Sequence, residues 1–124
     1  MKDEENGGRR GNDLAERLQQ FALRSIKVFV VLPKTDEARV LGKQFLRSAT
    51  SVRAHYREVR RAKSDADFVS KVEGALQELD ETDYWLGLIA ESGILNAKRL
   101  ESLITETNEL TAIFVTIAKK GKGL

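Results

Sequence analysis

Residues 64–93 read SDADFVSKVEGALQELDETDYWLGLIAESG, and this stretch predicts the fold class of the chain. Apolar or small residues recur in it at spacings of three and four, which places them on one face of an α-helix. They are Phe68, Val72, Ala75, Leu79, Thr82, Leu86 and Ile89. Ser64 and Asp67 have the spacing of a capping box, and Gly93 suits the position just after a helix. The stretch therefore predicts one long amphipathic helix.

Three further segments repeat this pattern, and short connections separate all four. The first segment ends at Pro33, because the residue before a proline is disfavoured in helical geometry. The second begins at Thr35 or Asp36 and continues to about Lys63, and the fourth begins at Asn96. Their stripes are Leu14, Leu18, Phe21, Ser25, Val28 and Leu32; then Leu41, Phe45, Ser48, Val52, Tyr56 and Val59; then Leu100, Leu103, Thr107, Leu110, Phe114 and Ile117. Helices joined by about two to five residues pack antiparallel, so we expect an all-α protein, an antiparallel up-down-up-down four-helix bundle.

The length and the glycines indicate how the chain is organised. A chain of 124 residues is the size of one domain. Five of the nine glycines lie near the ends of the chain, at positions 7, 8, 11, 121 and 123. We therefore expect a four-helix bundle domain at residues 13–120. A flexible N-terminal tail is expected at 1–12, and a flexible C-terminal tail at 121–124.

The composition removes most classes of catalytic and metal site. The chain has no cysteine, which excludes disulfides, thiolate zinc sites and cysteine catalysis. Its single histidine, His55, has no second histidine with which to form a zinc or di-iron motif, and Ser48 and Ser51 lack a serine–histidine arrangement. The sequence therefore predicts a protein that is not an enzyme, with no catalytic residues, no metal site and no cofactor.

The sequence also predicts a cytoplasmic protein that has no membrane partner. Its longest apolar run, at residues 28–32, is much shorter than the ~18 residues that a membrane span needs. Its N-terminus is polar and lacks the apolar stretch of a signal peptide.

Charge is unevenly divided between the second and third segments. The whole chain carries a net charge of only +2. Residues 35–63, however, contain 8 basic and 3 acidic residues, a net +5, whereas residues 64–92 contain 1 basic and 8 acidic residues, a net −7. The small total therefore results from a cancellation between two segments that are predicted to be neighbouring helices.

The basic residues of the second segment are also ordered around its helix. At about 100° per residue, seven of them fall within an arc of about 140° that runs roughly 33 Å along the axis. They are Arg39, Lys43, Arg47, Arg53, Arg57, Arg60 and Arg61. Six of the seven are arginine, the side chain best suited to bidentate contact with phosphate.

Three interpretations of this basic face remain open. The first is a solvated face whose charges pair with acidic residues of the third segment, within the chain or between subunits. The second is a phosphate-binding surface for RNA or DNA, with low specificity because no aromatic residues interleave with the arginines. The third, which the pattern favours least, is a role at a membrane surface.

Four stretches of the chain resemble a known bacterial family. Residues 44–52 read QFLRSATSV, 56–58 YRE, 60–68 RRAKSDADF and 78–86 ELDETDYWL. Their order and spacing resemble the four-helix bundles called 23S rRNA-intervening sequence proteins, over about residues 14–120. The family name records where some of its genes lie and does not establish a function.

The resemblance implies a homo-oligomer, with a pentameric ring as the favoured assembly. The family is also related to the pentameric accessory proteins of diversity-generating retroelements, which bind nucleic acid through basic surfaces. Many members carry Pro-Ser-Asn-Ile-Ala-Glu-Gly where this chain has RAHYREV at residues 53–59, so only Glu58 keeps its register.

Two functions therefore follow as expectations from the sequence. The first is a non-enzymatic homo-oligomeric bundle that binds nucleic acid weakly and without sequence preference through the seven basic residues. The second is a structural or protein-interaction module in which the basic face forms subunit contacts with the acidic third helix.

Overall fold

Four helices form an antiparallel bundle in a computed structural model that describes the backbone of residues 2–124 and the side chains of residues 13–124. In chain order they are α1 (Lys2–Val31), α2 (Asp36–Val59), α3 (Asp65–Glu91) and α4 (Ala97–Gly121). Each helix packs against the next, and α1 also contacts α4, which closes the up-down-up-down bundle and confirms the predicted fold class. The tail predicted at 1–12 lies outside the residues whose side chains are described. The domain limits stay predictions.

The helix ends depend on side chains that the sequence indicates. Thr35 caps α2, and Asn96 caps α4 by accepting a hydrogen bond from a backbone N–H at 2.8 Å. The Ser64 hydroxyl accepts a bond from the Asp67 N–H at 3.0 Å, which fixes the start of α3. Gly93 has a φ of 76°, the left-handed conformation that glycine adopts most readily after a helix.

The second helix is shorter than its apolar pattern predicts. It ends at Val59, whereas the sequence predicts a helix as far as Lys63. The N–H of Arg61 donates to the Glu58 carbonyl at 3.0 Å, an i→i+3 bond that tightens the last turn. The chain leaves the helix here because Ser64 needs an extended backbone to cap α3. Arg60 and Arg61 consequently lie in the connecting turn.

All four helices contribute to one core along the predicted stripes. Phe21, Phe45, Leu79 and Phe114, one from each helix, are fully buried. The Tyr56 ring meets Phe114 edge to face, with 5.9 Å between centroids. Among the described residues, no helix is both long and apolar enough to cross a membrane.

Gly42 allows α1 and α2 to approach closely. A Cβ at this position would lie 2.7 Å from Leu32 Cδ1 and 3.3 Å from two ring carbons of Phe29. Leu32 is buried, so it has little room to move away. By contrast, a Cβ at Gly87 in α3 would meet no atom within 4 Å.

We expect these two glycines to respond oppositely to alanine. Gly87→Ala should raise the free energy of unfolding by up to about 1 kcal/mol, because alanine is the better helix former. Gly42→Ala should lower it by about 1 kcal/mol, since overpacking outweighs that gain. Urea denaturation of both variants measures the difference, and equal stabilisation of the two would show that the α1–α2 contact is not tight at Gly42.

Candidate nucleic-acid interface

The buried stripe of α2 determines where its basic residues point. Phe45, Ala49 and Val52 are completely buried among the other helices. The predicted basic residues lie on the remaining surface of the helix and in the turn that follows it. Arg53 is half-buried, and the other six are exposed: Arg39, Lys43, Arg47, Arg57, Arg60 and Arg61.

Arg47 connects the middle of this basic set to α3. Its Nη2 lies 3.3 Å from Glu81 Oε2, and its Nη1 lies 3.8 Å from Glu78 Oε2. Within residues 13–124, Arg57 and Arg61 form no salt bridge, and neither do Arg39 and Lys43. The acidic helix therefore neutralises the centre of the predicted face and leaves charge at its two ends.

Four arginines converge beyond the centre of α2, where the helix ends. Arg53, Arg57, Arg60 and Arg61 line a shallow groove of about 340 Å³, which we call the arginine groove. The Nε of Arg53 is buried and has no hydrogen-bond partner among the described residues. Four guanidinium groups around one depression produce a positive potential that favours an anion with several oxygen acceptors.

The end of α2 also favours positive charge for a local reason. The carbonyl end of a helix carries a partial negative charge, and Arg57 lies in the last turn of α2. This interaction stabilises the helix but uses little of the hydrogen-bonding capacity of the guanidinium group. The Arg57 guanidinium group therefore keeps N–H donors that an external anion can accept from.

Arg39 and Lys43 lie apart from the arginine groove, at the beginning of α2. Lys43 and Arg57 are separated by about 20 Å at 1.5 Å per residue. Asp36 lies in the same arc of the helix, in its first turn, and reduces the charge at this end. The structure therefore brings four of the seven predicted residues together and divides the rest between a neutralised centre and a distant end.

Glu58 lines a neighbouring depression that shares Arg61 with the arginine groove, and it contacts two other side chains. Its Oε2 lies 3.8 Å from Lys71 Nζ and 3.7 Å from His55 Nδ1. The i, i+3 spacing of His55 and Glu58 was the available sequence signal, because such residues are neighbours on a helix. His55 in turn lies 3.7 Å from Glu78 Oε1 and bridges α2 to α3.

The environment of Glu78 opposes its negative charge. Its side chain is 15% exposed, and its Oε2 is buried without a hydrogen-bond partner among the described residues. Burial raises the pKa of Glu78, and the nearby charge of Glu81 raises it further, while Arg47 and His55 only partly offset these effects. Ionised Glu78 is therefore destabilising in the folded protein.

Glu106 shows the opposite behaviour between α1 and α4. Arg17 donates two hydrogen bonds to its carboxylate, at 2.8 and 2.7 Å. These bonds lower the pKa of Glu106 more than burial raises it. The charged form of Glu106 consequently stabilises the contact between the first and last helices.

We expect glutamine to have opposite effects at these two positions. Near neutral pH, Glu106→Gln should lower the free energy of unfolding by about 1–2 kcal/mol, because a charge-assisted bidentate contact is lost. Glu78→Gln should raise it, because a buried carboxylate is removed. Urea denaturation as a function of pH measures both effects.

The pH dependence has a definite sign for each carboxylate. Because the folded pKa of Glu78 lies above its ordinary 4.5, the advantage of Glu78→Gln should shrink as the pH falls through that folded value. Because the folded pKa of Glu106 lies below 4.5, the stability that this group contributes is complete above 4.5 and is lost as the pH falls through the folded pKa. A destabilising Glu78→Gln at neutral pH would contradict this description of the α2–α3 contact.

Among the described residues, no group of three or more histidine, aspartate or glutamate side chains is arranged to hold a metal ion. The acidic residues of α3 spread around the helix, and Glu73 pairs with Lys122 of the C-terminal turn at 2.8 Å. The absence of enzymatic activity stays a prediction.

Comparisons with known proteins identify similar chains. The family described as 23S rRNA-intervening sequence protein matches residues 11–116. A solved structure from Bacteroides thetaiotaomicron, a protein of unknown function from the S23 ribosomal protein family, superposes with a TM-score of 0.81 at 33% identity. The alignment covers 88% of this chain and 97% of the Bacteroides chain. Among curated proteins, none matches the sequence.

Proposed function

We propose that this chain, which belongs to the 23S rRNA-intervening sequence protein family, is a non-enzymatic homo-oligomeric bundle that binds nucleic acid weakly and without sequence preference. The observation that carries the proposal is the arginine groove, where four guanidinium groups line one depression of about 340 Å³. The Bacteroides relative is described as part of an S23 ribosomal protein family, which supports RNA as the first nucleic acid to test.

The chemistry of the arginine groove suits contact with phosphate rather than recognition of a base. Several arginines can bind adjacent oxygens of a phosphodiester backbone in bidentate geometry. The lining contains no aromatic side chain on which a base could stack. Contacts to phosphate fix the position of a nucleic acid and carry no sequence information, so binding here is nonspecific.

Binding is weak because only some of the seven predicted basic residues can attract a nucleic acid. Arg47 is paired with Glu78 and Glu81, so the centre of the predicted face contributes little attraction. Glu58 adds a carboxylate to the neighbouring depression that shares Arg61 with the arginine groove. Nonspecific binding of this kind depends on release of counterions and falls steeply with added salt.

An apolar face on α1 favours self-association. Leu23, Ile26 and Val30 follow the spacing of one helical face, and they are 42, 42 and 61% exposed. Exposed apolar residues that share a face are typical of protein contacts. Tyr84 of α3 is also exposed, at 58%, beside Asp80 and Asp83, so the surface of α3 combines an aromatic side chain with negative charge.

The acidic surface of α3 also supports the second candidate function, that of a structural or protein-interaction module. In a heterologous ring, one face of each subunit meets a different face of the next. A purely structural module would use the basic α2 face to bind the acidic α3 of a neighbour, and nothing would remain for nucleic acid. The pentameric stoichiometry and the cytoplasmic location stay predictions.

Charge reversal in the arginine groove distinguishes the two functions. We expect Arg57→Glu with Arg61→Glu to remove binding of a labelled single-stranded RNA at low salt and to leave the oligomer intact. Both residues are exposed and form no salt bridge with residues 13–124, so the fold should tolerate the change. Fluorescence anisotropy measures binding, and multi-angle light scattering measures the mass of the assembly.

A matched control carries the same change of charge elsewhere. Lys119→Glu with Lys120→Glu alters two exposed residues in the last turn of α4. This control should bind RNA nearly as well as the unmodified protein. If Arg57→Glu with Arg61→Glu instead causes the oligomer to dissociate, the protein acts as the structural module. Undiminished RNA binding by that variant would contradict the nucleic-acid proposal.

A further inference from the structure

A second cavity lies at the connection between α1 and α2, and its lining differs from that of the arginine groove. It has a volume of about 300 Å³, and we call it the corner cavity. It combines apolar side chains with three cations. The apolar residues are Phe29, Leu32, Pro33 and Ala38, and the cations are Lys34, Arg39 and Lys43.

The apolar side of the corner cavity is held in place by close packing. Phe29 is half-buried, and its ring carbons lie 3.3 Å from where a Cβ of Gly42 would stand. Leu32 and Ala38 are buried, while Pro33 is exposed where it ends α1. An aromatic ring and a proline ring therefore line one preformed depression.

The cations of the corner cavity are available to a ligand. Lys34, Arg39 and Lys43 are exposed, and within residues 13–124 none of them forms a salt bridge. Two carboxylates, those of Asp36 and Glu37, lie in the first turn of α2 but do not line the cavity. The cavity therefore presents positive charge around an apolar surface.

We propose that the corner cavity holds one unpaired nucleotide of a single-stranded nucleic acid, with the base against Phe29 and Pro33 and the phosphate near the three cations. This inference rests on the proposed function and specifies its substrate. An inorganic phosphate would gain no affinity from the apolar side of the cavity, and an apolar ligand would gain no affinity from the cations. A nucleotide uses both, because base–aromatic stacking and phosphate contact occur together in single-strand recognition.

The corner cavity implies a preference for single strands over duplexes. A base in a duplex is stacked and paired, so it cannot enter the cavity without costly unstacking. The arginine groove lies about 20 Å away along α2, a distance that about six stacked nucleotides cover at ~3.4 Å each. One strand can therefore reach from the cavity to the groove.

The test compares a labelled single-stranded 12-mer with its duplex by fluorescence anisotropy. We expect the unmodified protein to bind the single strand about ten-fold more tightly, the range expected for one stacked base. Phe29→Leu keeps an apolar side chain but removes the aromatic ring, so it should abolish this preference and leave duplex affinity unchanged. Phe68→Leu, at a half-buried phenylalanine outside the cavity, is the matched control and should keep the preference.

A second variant, which changes a charge, keeps the proposal testable if Phe29→Leu disturbs the packing of the protein. Lys43→Gln changes an exposed residue, so the fold is preserved, and it should weaken single-strand binding more than duplex binding. If the unmodified protein binds both forms equally, or if Phe29→Leu and Lys43→Gln affect both forms equally, the cavity does not hold a base. The proposed function at the arginine groove would still stand in that case.

A second measurement covers the case in which the protein binds no polymer at all. Adenosine monophosphate and inorganic phosphate are titrated separately, and backbone amide shifts are followed by NMR. Shifts at residues 29–43 with adenosine monophosphate but not with phosphate would support the cavity, although the proposed function had failed. The absence of shifts at residues 29–43 with adenosine monophosphate would overturn the inference.

Discussion

The burial of one face of α2 is the constraint on which the other features of this protein depend. Phe45, Ala49 and Val52 are fully enclosed by the other helices, and a helix of fixed pitch then has no rotational freedom left. The basic residues of the same helix must consequently face outward or toward the rims of the bundle. Rotation of α2 that brought its cations against α3 would expose this apolar stripe and remove charged groups from water, both of which are costly. Packing, rather than charge attraction, therefore sets the direction of the basic face.

The charge difference between α2 and α3 is only partly used inside the chain. Arg47 and His55 contact the acidic helix, and Glu78 lies between them in an environment that still raises its pKa. The remaining separation of charge extends to the surface, where the arginine groove is positive and α3 carries exposed carboxylates such as Asp80 and Asp83. Such a surface can attract a polyanion or another copy of the chain, and the two uses compete for the same arginines. A net charge of +2 therefore conceals a strongly polar distribution.

Periodicity in the sequence predicted the elements that depend on local pattern. The α3 stripe from Val72 to Ile89 is buried as expected, and Ser64 and Asn96 cap helices, because these features follow from spacing and from short-range hydrogen bonds. Features that depend on contacts between helices could not be predicted from the sequence. The corner cavity arises where Phe29 of α1 lies near Lys43 of α2. Likewise, the pairing of Arg47 with Glu81 divides a basic face that is continuous on a helical wheel, and the α3 cap moves Arg60 and Arg61 into a turn.

The most direct test of the central claim is the salt dependence of nucleic-acid binding. If outward-facing arginines bind phosphates, the logarithm of the affinity for single-stranded RNA should fall linearly with the logarithm of salt concentration. Four engaged arginines imply a slope of roughly −3, at ~0.7 per phosphate contact on a single strand. A slope near zero would contradict the account, because binding would then not involve displacement of counterions from phosphates. The same conclusion would follow if no RNA or DNA were bound even at the lowest salt.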